Sequence, residues 1–153
     1  MTLSIRTAQA QDALAIARLL GQLGYPQQVS ATRRALQRLR AQPGCWVWVA
    51  QRDGVLLGLM QLAEVAGLAE ADYLEIRSLV VDAGARSQGI GAQLLARAQQ
   101  WAQQQGIARV RVRCNRQREA AQRFYRSHRF VAVKVQTVFE RPLPTAPETT
   151  PAG

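Results

Sequence analysis

Apolar and polar residues change period several times along the chain, and each change marks an element. Leu3, Ile5 and Thr7 alternate as a short strand, and Gln11 to Leu23 then sets Leu14, Ala17, Leu20 and Leu23 on a helical stripe that Gly24 stops. After Tyr25-Pro26, Ser30 can cap a second helix over Ala31 to Ala41, closed by Pro43-Gly44. Trp46 to Gln51 and Val55 to Val65 flank Arg52-Asp53-Gly54, whose Asp-Gly pair is a strong hairpin signal, so these read as central antiparallel strands.

Tyr73 to Val81 reads as a buried strand, Ala92 to Gln105 as a long helix stopped at Gly106, and Arg109 to Cys114 as a strand in which Val110 and Val112 alternate with arginines. Glu119 to His128 reads as a short helix and Val131 to Glu140 as a final strand or strand pair. The order is β-α-α-β-β-β-α-β-α-β, an α/β fold with a mixed, mostly antiparallel sheet flanked by helices. One domain over 1–141 is expected, with a disordered tail over 142–153 that is rich in Pro and Thr. No apolar run approaches the length of a membrane span and no leader pattern opens the chain, so a soluble, cytoplasmic protein is expected.

The most informative junction is Arg86-Ser87-Gln88-Gly89-Ile90-Gly91, between a strand and a helix. The first amides of a helix lack intrahelical partners and carry the positive end of the dipole, and glycines let a phosphate approach the backbone. A dinucleotide loop would need a third glycine where Leu94 stands and an acidic residue about twenty positions on. A nucleoside-triphosphate loop needs Gly-Lys-Ser/Thr, yet the one lysine, Lys134, is far from any glycine loop. Both readings fail.

What remains, an Arg/Gln-x-x-Gly-x-Gly loop after Leu79-Val80-Val81-Asp82, resembles the acetyl-coenzyme A loop of the Gcn5-related N-acetyltransferases. The stretch Ala120-Ala121-Gln122-Arg123-Phe124-Tyr125 through Phe130 resembles that family's second signature, with Arg129 in place of its usual glycine. The resemblance covers residues 72–131 and implies the acyl-coenzyme A N-acyltransferase fold, with acetyl-coenzyme A as co-substrate. The resemblance also implies that the pantetheine arm lies along Leu79, Val80 and Val81 and pairs with main-chain groups of a bulged strand, whose side chains can also serve the sheet core. The diphosphate would meet the amides of Ser87, Gln88, Gly89, Ile90, Gly91 and Ala92, with Arg86 either contacting phosphate or simply solvated.

Acetyl transfer to an amine also needs a route for two protons. An ammonium with a pKa of about 10.4 is nucleophilic in only about one molecule in a few thousand at pH 7, a deficit near 4.6 kcal/mol. Glu75 matches in position the general-base glutamate of family members, and strand alternation would place it on one face with Tyr73, Arg77, Leu79 and Val81. An ion pair between Glu75 and an arginine is the competing reading, and Glu64 is a second candidate base. Tyr125, at the family's motif tyrosine, is the candidate acid for the departing thiolate, against a packing role. Arg118 stands where many members place a cofactor-binding asparagine and is expected to contact coenzyme A.

The formal charge is +10, and it is uneven. Residues 83–141 carry twelve bases against two acids, while residues 51–82 carry six acids against two arginines. The basic half holds the proposed phosphate loop, as an anionic cofactor favours. No aromatic-interleaved basic patch or zinc-finger spacing accompanies the charge, so nucleic acid is not the expected partner. Cys45, Cys114 and the lone His128 have no metal-ligand spacing, and no metal is expected. The acceptor is expected to be an amine of a small molecule or peptide, a homodimer is possible, and a non-catalytic coenzyme A-binding sensor or interaction module is the alternative.

Overall fold

A computed structural model describes residues 2–145. By their internal contacts the residues fall into two compact units, Met1–Gln117 and Arg118–Gly153. In the first unit, β1 (Ser4–Thr7), α1 (Ala13–Leu23), α2 (Val29–Ala41), β2 (Cys45–Arg52), β3 (Val55–Val65), β4 (Tyr73–Val81), α3 (Ile90–Gln104) and β5 (Val110–Val112) follow in order. The second unit contains α4 (Glu119–Ser127).

The five strands form one sheet in the order β1-β2-β3-β4-β5. The first three pairings are antiparallel and β4–β5 is parallel, so the sheet is mixed as the pattern predicts. The β2–β3 hairpin turns through Asp53 at φ 52° and Gly54 at φ 75°, the left-handed pair that a two-residue primed turn demands.

One face of the sheet receives α1 and α2, whose Ile16, Leu19 and Leu36 pack with Val49, Leu59 and Val80. The other face receives α3. There Trp101 stands edge-on to Trp46 and Trp48 at ring-centroid distances of 5.3 and 5.6 Å. Gly58 permits the close approach of this helix, because a Cβ there would come within 3.0 Å of Leu94 and 3.1 Å of Ile90.

Three local expectations are corrected. Helix α2 begins at Val29 with Gln28 as its N-terminal cap and no side-chain capping bond, so Ser30 lies inside the first turn. Strand β5 is limited to Val110–Val112, and its neighbours Arg109, Arg113 and Cys114 fall outside it. The final strand expected over Val131 to Glu140 does not form: residues 131–145 contain neither helix nor strand. The remaining expected tail, 146–153, lies outside the described residues.

The start of the fold is tied by a buried carboxylate. Asp12 accepts two hydrogen bonds from the Arg6 guanidinium, at 2.8 and 2.9 Å, and one from the Gln9 amide at 2.8 Å. The Arg6 bonds hold the Asp12 carboxyl below the usual aspartate range against the opposing effect of burial. A depressed pKa contributes stability above the unfolded value, about 3.9, and loses it as pH falls through the folded value. Asp12→Ala is expected to lower unfolding free energy by about 2 kcal/mol at pH 7 in urea titration. That difference should vanish in acid below the aspartate range.

In the second unit, α4 ends with Arg129 at φ 69°. The Phe130 amide bonds the Tyr125 carbonyl at 3.0 Å and the Arg129 amide bonds the Arg126 carbonyl at 3.1 Å, the paired closure that glycine normally supplies. Because a left-handed backbone costs an L-residue about 1 kcal/mol, Arg129→Gly is expected to raise the stability of α4 by roughly that amount, read as a higher melting temperature.

Candidate functional site

Strand β4 contains one more residue than its partner requires. Gln61 pairs with Ser78 while Leu62 pairs with Ile76, which leaves Arg77 as the extra residue of a β-bulge. Side-chain alternation inverts there. Leu74, Ile76, Leu79 and Val81 share the α3 face, whereas Tyr73, Glu75, Ser78 and Val80 share the α1–α2 face. The expectation that Glu75 shares a face with Leu79 and Val81 is therefore corrected, and the bulge is the physical reason.

The same residue marks where β4 and β5 part. Their pairing covers only Leu74–Ile76 against Val110–Val112. From Arg77 to Val81, β4 has β3 on one side and, among the described residues, no strand paired on the other. The Asp82 amide bonds the Leu57 carbonyl at 2.8 Å. By the alternation of an antiparallel ladder, Leu79 and Val81 then turn their N–H and C=O groups toward the open side. Val80 turns its own toward β3 and buries its side chain at 5% exposure.

Directly after this open edge the chain makes a short turn, Ala83–Ala85, and enters α3 through an extended Arg86, Ser87 at φ 65° and Gly89 at φ 80°. The N-cap residue is Gly89 and, among the described residues, no side-chain cap bond is made, so the leading amides of Ile90, Gly91 and Ala92 are left without that capping partner. Arg86, Ser87, Gln88 and Gly89 are exposed, while the Ile90 side chain is buried and anchors the turn. Apart from its chain neighbours, a Cβ added at Gly89 would meet no atom of the described residues within 4 Å. The space before the helix is open, and it faces the positive end of the helix dipole. Gln88 is held by a 2.8 Å bond from Arg52.

The loop is positioned by residues the sequence pattern does not reveal. Asp82 accepts hydrogen bonds from Arg18 and, at 2.8 Å, from Gln22, both on α1. The Gln22 side-chain oxygen accepts in turn from the Ala83 amide at 2.8 Å. Arg18 and Gln22 are one helical turn apart, which is legible, but their partner lies about sixty positions away, which is not.

Glu75 is 6% exposed. Its Oε1 lies 3.3 Å from Arg113 Nε and 3.6 Å from Arg77 Nη1, so the ion-pair reading describes its surroundings. Beside it, Arg111 lies over the Tyr73 ring at 4.2 Å and pairs with Glu70 at 3.4 Å. Glu64, in contrast, pairs in register with Leu74 on the opposite face from Glu75.

Within the second unit, Arg118 is the N-terminal cap residue of α4 and Tyr125 lies seven residues later. The Tyr125 ring is half-buried, 5.3 Å from Phe124 and 5.6 Å from Phe130. No residue of α4 is fully buried. Phe124 is likewise half-buried.

Hydrogen bonds from Gln22 and then Arg18 hold the Asp82 carboxyl below the usual aspartate range. The depressed pKa keeps it ionised at neutral pH, and its grip is lost only as pH falls below about 4. Asp82→Asn is expected to speed amide hydrogen exchange over residues 83–92 at neutral pH, while the rest of the sheet is unchanged.

The family model described as acetyltransferase (GNAT) family matches residues 14–130. No match is found among the curated proteins. Solved structures share the fold at low identity. A transcriptional regulator from Bacillus halodurans is 21% identical with a TM-score of 0.81, covering 92% of this chain and 100% of its own. An aminoglycoside N-acetyltransferase in complex with CoA is 18% identical with a TM-score of 0.80, covering 92% and 95%. Glucosamine-6-phosphate N-acetyltransferase from Arabidopsis thaliana is 17% identical with a TM-score of 0.77, covering 92% and 99%. Since the family match spans residues 14–130, both the bulged strand with its helix-capped loop and the Tyr125 segment included, the chain belongs to the GNAT acetyltransferase family.

Proposed function

We propose that the protein transfers an acetyl group from acetyl-coenzyme A to an amine of a small molecule or peptide. The observation that carries this reading is the open edge of β4 running straight into the uncapped N-terminus of α3. An extended chain bearing amides, followed by a diphosphate, has the shape of pantetheine and its phosphates. The arm adds to β4 as a strand would, through Leu79 and Val81, and the phosphates meet the amides of Gly89 to Ala92. Arg86 supplies a charge-assisted contact at the rim.

The inverted face then separates the reactants. The thioester lies along the edge of β4, and the Val81 N–H polarises its carbonyl, a donor of a kind worth about 2.7 to 4 kcal/mol in other acyl-transfer enzymes. The amine approaches on the α1–α2 face, where the Glu75 carboxylate accepts its proton, directly or through a water. Nitrogen attacks the carbonyl carbon, the tetrahedral intermediate collapses, the carbon–sulfur bond breaks, and the thiolate takes a proton from the Tyr125 phenol. Arg118 assists cofactor binding.

Two structural neighbours bear acetyltransferase names, for an aminoglycoside and for glucosamine-6-phosphate; both support a small amine as acceptor. The second reading, a coenzyme A-binding module without turnover, is favoured by the neighbour described as a transcriptional regulator. Thiol release from acetyl-coenzyme A across an amine panel separates them: binding with no release under any acceptor favours the module.

Gly89→Val is expected to weaken acetyl-coenzyme A binding at least tenfold by calorimetry, because its side chain fills space the protein leaves open. Undiminished affinity removes the loop from the site. Glu75→Gln and Tyr125→Phe should each lower kcat by roughly a hundredfold with KM for acetyl-coenzyme A little changed. Equal losses in cofactor affinity and turnover would assign both residues to structure instead.

A further inference from the structure

Arg77, the extra residue of the β4 bulge, is also the one exposed residue of that strand. A guanidinium presents a planar fork of donors suited to carboxylate or phosphate. Among the described residues this one has a single ionic contact, from Nη1 to Glu75 Oε1 at 3.6 Å, and its side chain is 53% exposed. That distance is too long for a hydrogen bond, so most of the fork faces solvent.

The carboxylate beside it is shared. Arg113 Nε reaches the same Oε1 at 3.3 Å, while Oε2 takes no hydrogen bond among the described residues. Glu75 thus keeps one oxygen for an incoming donor, and its single charge stands beside two guanidiniums. Nearby acids do not redress the balance. Glu70 is engaged by Arg111 at 3.4 Å and by Arg109 at 3.8 Å. Asp72 accepts from the Gly67 amide at 3.1 Å, and Glu64 stands on the opposite face of the sheet. Arg111 is itself the register partner of Glu75 on β5. The surroundings of the buried carboxylate are therefore positive, with an accepting oxygen next to a fork of donors.

We propose that the acceptor is an amine bearing its own anionic group, a carboxylate or a phosphate, and that Arg77 selects it. The inference rests on the acetyl-transfer reading, in which Glu75 takes the proton of the amine. With the ammonium on Oε2 and the anion on the Arg77 fork, hydrogen bonds of about 2.8 Å at each end set the two groups of the ligand roughly 5 Å apart. A short chain of about two or three carbons between amine and anion meets that spacing. A polycation would instead bring its further charges against Arg77, Arg111 and Arg113, and like charges placed together reject a partner. The bulge gives this arrangement its place, since it sets Arg77 between Glu75 and the open edge at Leu79.

Matched amines test this on the full chain. β-Alanine is compared with β-alaninamide for the carboxylate, O-phosphoethanolamine with ethanolamine for the phosphate, and spermidine serves as the polycation. Thiol release from acetyl-coenzyme A should show kcat/KM about tenfold or more higher for the anionic member of at least one pair, and that pair names the anion. Spermidine should be the poorest acceptor. Arg77→Gln should bring the two members of the pair within about twofold of each other through the acceptor KM, with KM for acetyl-coenzyme A little changed. Arg77→Lys should restore part of the difference, whereas a purely structural role would lower both members alike. Calorimetry on the protein saturated with coenzyme A makes the same comparison without turnover. Absence of thiol release with every amine overturns the acetyl-transfer reading, while anionic amines that bind more tightly and lose that advantage in Arg77→Gln keep Arg77 as the anion site. Turnover without preference for the anion overturns selection by Arg77 and leaves acetyl transfer standing. A preference that survives Arg77→Gln overturns it too, and so does failure of both anionic amines to bind. The matched pairs on the unaltered protein decide the matter even if a variant does not fold.

Discussion

The extra residue in β4 is the constraint on which the site depends. A regular strand would keep its pairing with β5 and alternate its side chains without interruption. With Arg77 inserted, the side chains before and after it exchange faces, and pairing with β5 stops at Ile76. One local irregularity therefore turns Glu75 toward α1 and α2, leaves the edge groups of Leu79 and Val81 unpaired, and aims the chain into α3. Bulges cost ladder hydrogen bonds, and they persist beside functional sites because they re-aim side chains or end a pairing.

The rest of the first unit holds that irregular strand in place from both faces. Leu59 and Val80 are packed under α1 and α2, while Gly58 lets α3 settle on Ile90 and Leu94. Asp82 is clamped to α1 through Arg18 and Gln22, which fixes the point where strand becomes loop. Rigid support of this sort would matter to the proposed anion site, because backbone donors must be in place before the ligand arrives. Charge follows the same logic: the buried Glu75 side chain lies within ion-pair distance of Arg77 and Arg113.

Much of this was legible in the amino-acid sequence. The apolar periods locate the strands and the long helix, Asp53-Gly54 marks the hairpin, and Gly89 marks the helix entrance. These are local signals, carried by residues adjacent in the chain. The resemblance implies a bulged strand, but the position of the bulge at Arg77 was not legible, because it exists only as a mismatch between β3 and β4 and the alternation in Tyr73 to Val81 looks regular without its partner. For the same reason strand alternation alone puts Glu75 on the wrong face, and the Asp82 clamp joins residues too far apart in the chain to be read from a local pattern. The valines of 131–139 carry a clear strand period, yet a period states only how a segment would pair and not which edge it meets.

The central claim, that the open edge of β4 and the first turn of α3 together hold one extended phosphate-bearing ligand, is tested most directly by amide chemical shifts during titration with coenzyme A. The account predicts that the Leu79, Val81 and Gly89 to Ala92 amides shift together at a single affinity, with the Val80 amide, turned toward β3, much less affected. Saturable binding that leaves those amides unmoved and perturbs a different part of the chain would contradict it.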